Sequence, residues 1–393
     1  MRIEPSEGLK KIPPYLFSDI ENKVAQMRSR GEEIIDLSIG DPDLPTPPEI
    51  IKVMQSAMAQ KENQGYSSSK GEPFFREAVA EWYSKRFGVR ADAGKEVCAL
   101  IGSKEGIAHI SSAHVNRGEK ILVPDPGYPV YANGATLMSG GIAEAMPLRK
   151  ENEFLPDLSK VGAKGVKLMY LNYPNNPTGA IARMDFLKEV VDFAIDNGVL
   201  ICYDNAYSEM CFGERAHSIL EVPGAMECCV EFNSCSKTFN MTGSRVGFAV
   251  GASDAIGSLA KLKSQIDSGI PPFAQRAGAY ALSLYNGTEP PAAVKENLQT
   301  FYRRMKLLSN GLCEIGIQCK PSPATFYLWA WVGGSSIEFA NKLLSAGIVV
   351  TPGIGFGRYG EGFIRFALTR DETDIKRVVE KMNGMGLRSK ARH

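Results

Sequence analysis

Histidine is scarce in this chain of 393 residues, with four in all, at 109, 114, 217 and 393. A multi-histidine metal centre therefore has little to draw on, and no metal ligand set is expected. The eight cysteines, at 98, 202, 211, 228, 229, 235, 313 and 319, contain no Cys-x-x-Cys pair. Zinc ribbons and dithiol redox motifs are left without support. Charge of one sign is also missing: 45 basic residues face 44 acidic ones, whereas a nucleic-acid surface carries a clear basic excess. The longest uncharged stretch, Pro126–Ala143, is broken by proline and glycine, so no membrane helix is expected. The opening MRIEPSEGLKK has no apolar run, and a signal peptide is not expected. Several cysteines, such as Cys202, sit inside apolar stretches and read as small hydrophobes in a reducing compartment. These absences point to a cytoplasmic protein that binds neither nucleic acid nor membrane.

Length and hydrophobic content (44%) suit a globular chain larger than one ordinary domain. Short apolar runs predict strands at Val97–Gly102, Lys120–Pro124, Val166–Asn172, Val199–Tyr203, Cys228–Ser234 and Gly247–Gly251. Most are apolar at consecutive positions, as in strands covered on both faces of a mostly parallel sheet. Between two of them Leu187, Val190, Val191 and Ala194 form a helical stripe closed by Asn197-Gly198. The fold class is therefore α/β, with strands and helices alternating. After Asn286-Gly287 the pattern changes. Val294, Leu298, Phe301, Tyr302, Met305, Leu308 and Leu312 predict a long amphipathic helix. The runs Phe326–Val332, Ile348–Val350 and Phe363–Leu368 and a last helix from about Glu372 make an α+β unit, completed by the N-terminal segment. The expected division is 1–45 and 286–393 in a smaller domain, built from both chain ends, around a large domain at 46–285.

One motif misleads. Gly355-Phe-Gly357-Arg-Tyr-Gly360 matches the dinucleotide fingerprint letter for letter. That fingerprint needs a helix directly after it, and here a strand-like segment follows. A glycine-rich turn is the expectation. No Walker, HExxH or GxSxG sequence is present.

The informative residues cluster where predicted strands end, which is where open α/β sheets bind ligands. Gly102-Ser103-Lys104-Glu105-Gly106 opens a helix, and free N–H groups there suit a phosphate. Asp125-Pro-Gly-Tyr128-Pro-Val-Tyr131 brings an aromatic to the next strand end, and Asn172-Tyr-Pro-Asn-Asn176-Pro-Thr-Gly179 an amide. Asp204-Asn-Ala-Tyr207 and Ser234-Cys-Ser236-Lys237 follow, with Arg245 beyond. Taken singly, each has a plain reading: a turn, a solvated lysine, a helix cap. Together they supply what pyridoxal phosphate requires, namely a lysine for its aldehyde, a carboxylate for its ring nitrogen, and helix N–H groups with an arginine for its phosphate.

Ser-x-Ser-Lys-Thr-Phe-Asn-Met-Thr-Gly-Ser-Arg-Val-Gly at 234–247 resembles the cofactor-lysine segment of fold-type-I aminotransferases (class I/II). Asn-Asn-Pro-Thr-Gly at 175–179, Tyr-Asp-Asn-Ala-Tyr at 203–207 and Phe-Ile-Arg-Phe-Ala at 363–367 resemble three more motifs of that family, in the same order. Within it, Ile12-Pro-Pro-Tyr15-Leu-Phe, the Tyr128 stretch and Leu284-Tyr-Asn-Gly-Thr-Glu-Pro290 are most similar to LL-diaminopimelate aminotransferases of lysine biosynthesis. The resemblance implies pyridoxal 5'-phosphate as cofactor and Lys237 as the catalytic residue that holds it and moves the α-proton. Asp204 would face the ring nitrogen, Tyr207 and Asn176 the phenolate oxygen, and Tyr128 the ring face. Ser103, Lys104, Ser234, Ser236 and Arg245 would surround the phosphate. Tyr66, in Gly-Tyr-Ser-Ser-Ser-Lys-Gly, would reach the neighbouring subunit's phosphate, which implies a homodimer with shared active sites. Arg365 would clamp the substrate carboxylate, with Gly40 giving room, and Tyr15, Lys104, Tyr128 and Asn176 as further substrate contacts.

An amino acid and a 2-oxo acid are the expected substrates. Ser264–Gln275, which resembles the segment supplying a second-carboxylate contact, holds no Arg and no Asn. The missing Arg weighs against a dedicated aspartate enzyme, and the missing Asn against a copy of the better-known diaminopimelate site. Ser244 and Cys235 stand where relatives carry larger aromatics. LL-diaminopimelate with 2-oxoglutarate is the favoured pair; alanine, aspartate and aromatic amino acids stay open. So do a β-lyase or decarboxylase on the same fold and a non-catalytic regulator, for whose DNA-binding extension no residues are left. A nicotinamide dehydrogenase rests only on the decoy glycines.

Overall fold

A computed structural model describes residues 3–13 and 16–387. A short strand β1 (Ile35–Asp36) precedes seven strands: β2 (Val97–Ile101), β3 (Lys120–Asp125), β4 (Ile142–Pro147), β5 (Val166–Asn172), β6 (Leu200–Asp204), β7 (Cys229–Ser234) and β8 (Val246–Gly251). These seven form one sheet in the order β2-β8-β7-β6-β5-β3-β4. All neighbours run parallel except at β8, which is antiparallel to both β2 and β7. The α/β fold with a mostly parallel central sheet is therefore as expected. The consecutive apolar residues of β2, β6, β7 and β8 are buried on both faces, each face carrying its own hydrophobic cluster.

β4 has no counterpart among the predicted strands. It lies at the sheet edge with five of its six residues exposed or half-exposed, so it carries no apolar run to betray it. The helix Met184–Asn197 buries Phe186, Leu187, Val190, Val191 and Ala194 and ends at Gly198 in the left-handed region, φ 62°, as the Asn-Gly signal predicts.

The C-terminal part begins with the helix Ala292–Glu314, which buries Val294, Phe301, Met305, Leu308 and Leu312. Tyr302 departs from the predicted stripe: it is exposed, with the Lys306 ammonium 4.6 Å above its ring. The strands β9 (Tyr327–Trp331), β11 (Thr351–Pro352) and β12 (Phe363–Ala367) form an antiparallel sheet in the order β11-β12-β9. The remaining strand, β10 (Ile348–Val349), pairs parallel with β1. Leu37 extends this junction, donating to Val349 O at 2.8 Å and accepting from Ala367 N at 2.7 Å. The residues around 35 are thus sewn to those around 348 and 367. Gly355–Gly360 lies in two short 3-10 turns, Gly353–Phe356 and Arg358–Gly360, and leads into β12. No helix follows it, as the glycine-rich-turn reading expects.

Candidate active site

The parallel strands of the large sheet all end at one edge. The register pairs Ile101 at the end of β2 with Val246 at the start of β8. The one antiparallel strand therefore begins where the others finish, which brings Arg245 to the carboxyl edge. A cavity of about 340 Å³ opens there, within the roughly 300–1,000 Å³ of small-ligand sites.

At one end of the cavity the helix Ser103–His114 begins directly after Gly102 with no side-chain cap, leaving first-turn N–H groups to take an anion. Gly102 has φ +72°, and a Cβ there would overlap the Arg245 guanidinium. The glycine lets the arginine lie against the backbone. Arg245 Nη1 donates to Thr242 O at 2.8 Å and Nη2 to Ile101 O at 3.4 Å. Ser236 and Lys104 line the same end; burial and Arg245 push the Lys104 ammonium below its ordinary pKa. Ser234 does not line the cavity. Its Oγ accepts from Ser236 N at 3.1 Å and caps the turn Cys235–Thr238, so it shapes the loop rather than facing a ligand.

In the middle stands Asp204, the last residue of β6 and 6% exposed. Oδ2 accepts from the Tyr131 hydroxyl at 2.7 Å and Oδ1 from Ala206 N at 3.2 Å. Burial nevertheless lifts its carboxyl to about 6, against those two hydrogen bonds. A cationic ring nitrogen beside it would supply the missing counter-charge. Tyr207 hydrogen-bonds the Tyr327 hydroxyl at 3.0 Å, and burial raises its phenol pKa strongly. Lys237 Nζ donates to Gly40 O at 2.8 Å. Burial lowers its pKa to about 8; Asp41 opposes the shift, while Arg245 and Arg365 add to it.

At the far end Arg365, on β12, is 2% exposed. Nη1 donates to Asn176 Oδ1 at 2.8 Å, and Nη2 to Ser38 O at 2.5 Å and Thr351 Oγ1 at 3.4 Å. Its guanidinium carbon lies 4.3 Å from the Tyr327 ring centroid and 4.8 Å from that of Phe356. Asn176 stands between the two halves of the site: its Oδ1 faces Arg365, and its backbone N–H donates to Asn172 Oδ1 at 2.8 Å.

Of the residues singled out from sequence, Gly40, Ser103, Lys104, Tyr128, Asn176, Asp204, Tyr207, Ser236, Lys237, Arg245 and Arg365 meet around this one cavity. Gly40 does so for an additional reason. A Cβ there would overlap the Tyr327 phenol, so the glycine makes room for a side chain of the protein itself. Tyr66 is 94% exposed and is not among the residues around the cavity of its own chain. Tyr15 lies outside the described residues. Cys235 is buried at the start of the turn Cys235–Thr238, and burial raises its thiol to about 12.

The sequence assigns no role to Tyr131 and Asn172, named only within their motifs, and carries no signal for Tyr327 and Asp41; all four line the cavity. Tyr131 belongs to the same stretch as Tyr128, at the start of a π-helical turn Val130–Leu137. The Asn172 amide steadies the neighbouring strand by donating to Asp204 O at 2.8 Å. Tyr327 had no distinguishing signal within an aromatic strand.

The donor set fits pyridoxal phosphate. An uncapped helix start, Ser236 and Arg245 suit the phosphate, a buried carboxylate the ring nitrogen, and a lysine of lowered pKa the aldehyde.

Comparison with known proteins agrees. The family model described as aminotransferase class I and II matches residues 32–382. The chain is 46% identical to an LL-diaminopimelate aminotransferase of Moorella thermoacetica over 97% of this chain and 98% of that one. It is 45% identical to the Aquifex aeolicus protein of the same name, over 98% and 100%. Among solved structures, a substrate-bound BacF from Bacillus subtilis superposes with a TM-score of 0.94 at 33% identity, over the full length of both chains.

Proposed function

The chain belongs to the class I and II aminotransferases, and from that premise we propose that it exchanges an amino group between LL-diaminopimelate and 2-oxoglutarate. The cofactor of this family, pyridoxal 5'-phosphate, supplies an aldehyde that takes up the amine and a ring that draws electrons from the substrate's α-carbon. The residues proposed to hold it are Ser103, Lys104, Ser236 and Arg245 at the phosphate and Asp204, Asn176, Tyr207 and Tyr128 around the ring. Ser234 would act one step back, through the turn that carries Ser236.

Lys237 Nζ would take the proton from the substrate α-carbon. A general base works best when its pKa lies near the working pH, and the lowering to about 8 by burial serves that role. Arg365 would hold the α-carboxylate through its two parallel N–H donors, with Asn176 fixing the fork and Tyr327 supporting its face. The observation that carries this reading is the convergence of Lys237, Asp204, Arg245 and Arg365 on one cavity.

The choice of LL-diaminopimelate rests on relatives of that name at 42–46% identity over nearly the whole chain. A homodimer is supported by Tyr66, whose exposed ring is free to enter a partner's site. A cytoplasmic setting is supported by eight free cysteines. The division into 1–45 with 286–393 and 46–285 is supported by the pairing of β1 with β10.

The test is a panel of amino donors, each with 2-oxoglutarate, read by glutamate formation. LL-diaminopimelate should be turned over fastest. Glutamate formed only from aspartate, alanine or an aromatic donor would move the substrate. Pyruvate or CO₂ in place of glutamate would move the reaction to a lyase or decarboxylase.

A further inference from the structure

The glycine turn at 355–360 has a structural partner in the large sheet. Asp125, the last residue of β3, is 8% exposed. Its Oδ1 accepts from Tyr359 N at 3.0 Å and its Oδ2 from Arg358 N at 3.2 Å. A Cβ on Gly357, which has φ +128°, would overlap the Asp125 carboxylate. Gly360 packs on the Gly353 carbonyl with the same lack of room. A further bond runs backbone to backbone, from Gly127 N to Phe356 O at 2.8 Å. The turn is thus folded around a carboxylate that belongs to the large sheet.

What hangs on each side of this latch gives it a role. Two residues beyond Asp125's neighbour Pro126 comes Tyr128, which lines the cavity beside Lys104. On the other side Phe356 lies under the Arg365 guanidinium and packs edge-on against Trp329, the residue paired with Arg365 across the sheet. The far side of the turn is pinned independently: Ile354 N donates to Ser336 Oγ at 3.3 Å, and Ser336 donates to the Glu361 carboxylate. The Asp125 contact is therefore where the three-stranded sheet's turn meets the ring-face side of the cavity.

We propose that Asp125 is a positioning residue that sets the placement of the Arg365 clamp relative to Tyr128, with the Gly355–Gly360 turn as its receptor. The inference rests on the assignment of Arg365 as carboxylate clamp. A carboxylate suits the task because it can accept from two backbone donors at once. Asparagine in its place would keep the size but turn an N–H₂ toward one of those donors.

The experiment measures succinate binding to the cofactor-loaded enzyme by isothermal titration. Succinate has carboxylates and no amine, so it reads the clamp without turnover. Asp125→Asn should weaken binding by roughly tenfold, the scale of one lost charge-assisted hydrogen bond. It should raise KM for the amino donor by a similar factor, with kcat within about threefold of wild type. Gly357→Ala, which displaces the same carboxylate from the opposite side, takes its place if Asp125→Asn does not fold. A wild-type succinate Kd in the folded variant overturns the proposal, whatever its melting temperature. A wild-type enzyme that bound no succinate would overturn the clamp and this inference with it. A wild type that binds succinate yet turns over no donor would sink the proposed reaction alone.

Discussion

The cavity ends proposed for the two anions are built by opposite means. The phosphate end is an uncapped helix start, two hydroxyl-bearing turns and an exposed arginine resting on backbone carbonyls. Its positive potential is spread over several donors in reach of water. The carboxylate end concentrates its charge in Arg365, 2% exposed and held between Tyr327 and Phe356 by neutral oxygens. Away from water each hydrogen bond to a charge is worth more, and each lost partner costs more. A distributed site should tolerate a single substitution; a concentrated one should not. Such a division suits a cofactor that stays and a substrate that must be discriminated by its fit.

Lys237 lies between the ends, and its loss gives the largest effect. Lys237→Ala should lower transamination by at least about 10³-fold and abolish covalent retention of the cofactor. A borohydride-reducible linkage surviving in this variant would sink the lysine assignment. Arg365→Lys comes next. It keeps the charge but loses the fork, and kcat/KM for the amino donor should fall about 10²-fold, near 3 kcal/mol, with cofactor content unchanged. Arg245→Lys should be milder. Cofactor Kd should rise roughly tenfold, and excess cofactor should restore most of the activity. If Arg245→Lys proved as damaging as Arg365→Lys in the presence of excess cofactor, the contrast between the ends would be broken.

The same contrast explains what could be read before the fold was known. The phosphate end was legible because its parts are contiguous: Gly102-Ser103-Lys104 opens a helix, and Ser236-Lys237 follows a buried strand. The carboxylate end draws on residues far apart in sequence. Arg365 was visible through its motif, but Ser38, Thr351 and Phe356 reach it only through strand pairing and a turn. Tyr327 was hidden because an aromatic in an apolar strand looks like core, and most of its neighbours are core. β4 escaped because an edge strand needs only one apolar face. The glycine motif at 355–360 was rightly taken as a turn, but its partner carboxylate at 125 is 233 residues from the nearer of its two donors and has no local mark.

The mildest change tests the centre of the cavity, where the two ends meet. Tyr131→Phe removes the shorter of the two hydrogen bonds to the Asp204 carboxylate. That bond lowers the Asp204 pKa, whereas burial raises it to about 6, so the variant should move it higher. The sign for stability follows from proton binding. In the cofactor-free protein the folded state holds this proton more tightly than the unfolded chain, so the group favours folding below about pH 4. That contribution is lost as pH rises toward 6. With the tyrosine gone, the loss continues to higher pH. Tyr131→Phe should therefore cost roughly 1 kcal/mol near neutrality and less near pH 4, where Asp204 is protonated in both proteins. Added cofactor should narrow the gap, since a cationic ring nitrogen would hold Asp204 ionised without help from the phenol. Urea unfolding of the two proteins at several pH values, with and without cofactor, measures this. A difference independent of both pH and cofactor would mean that Tyr131 only packs the core and does not tune the carboxylate.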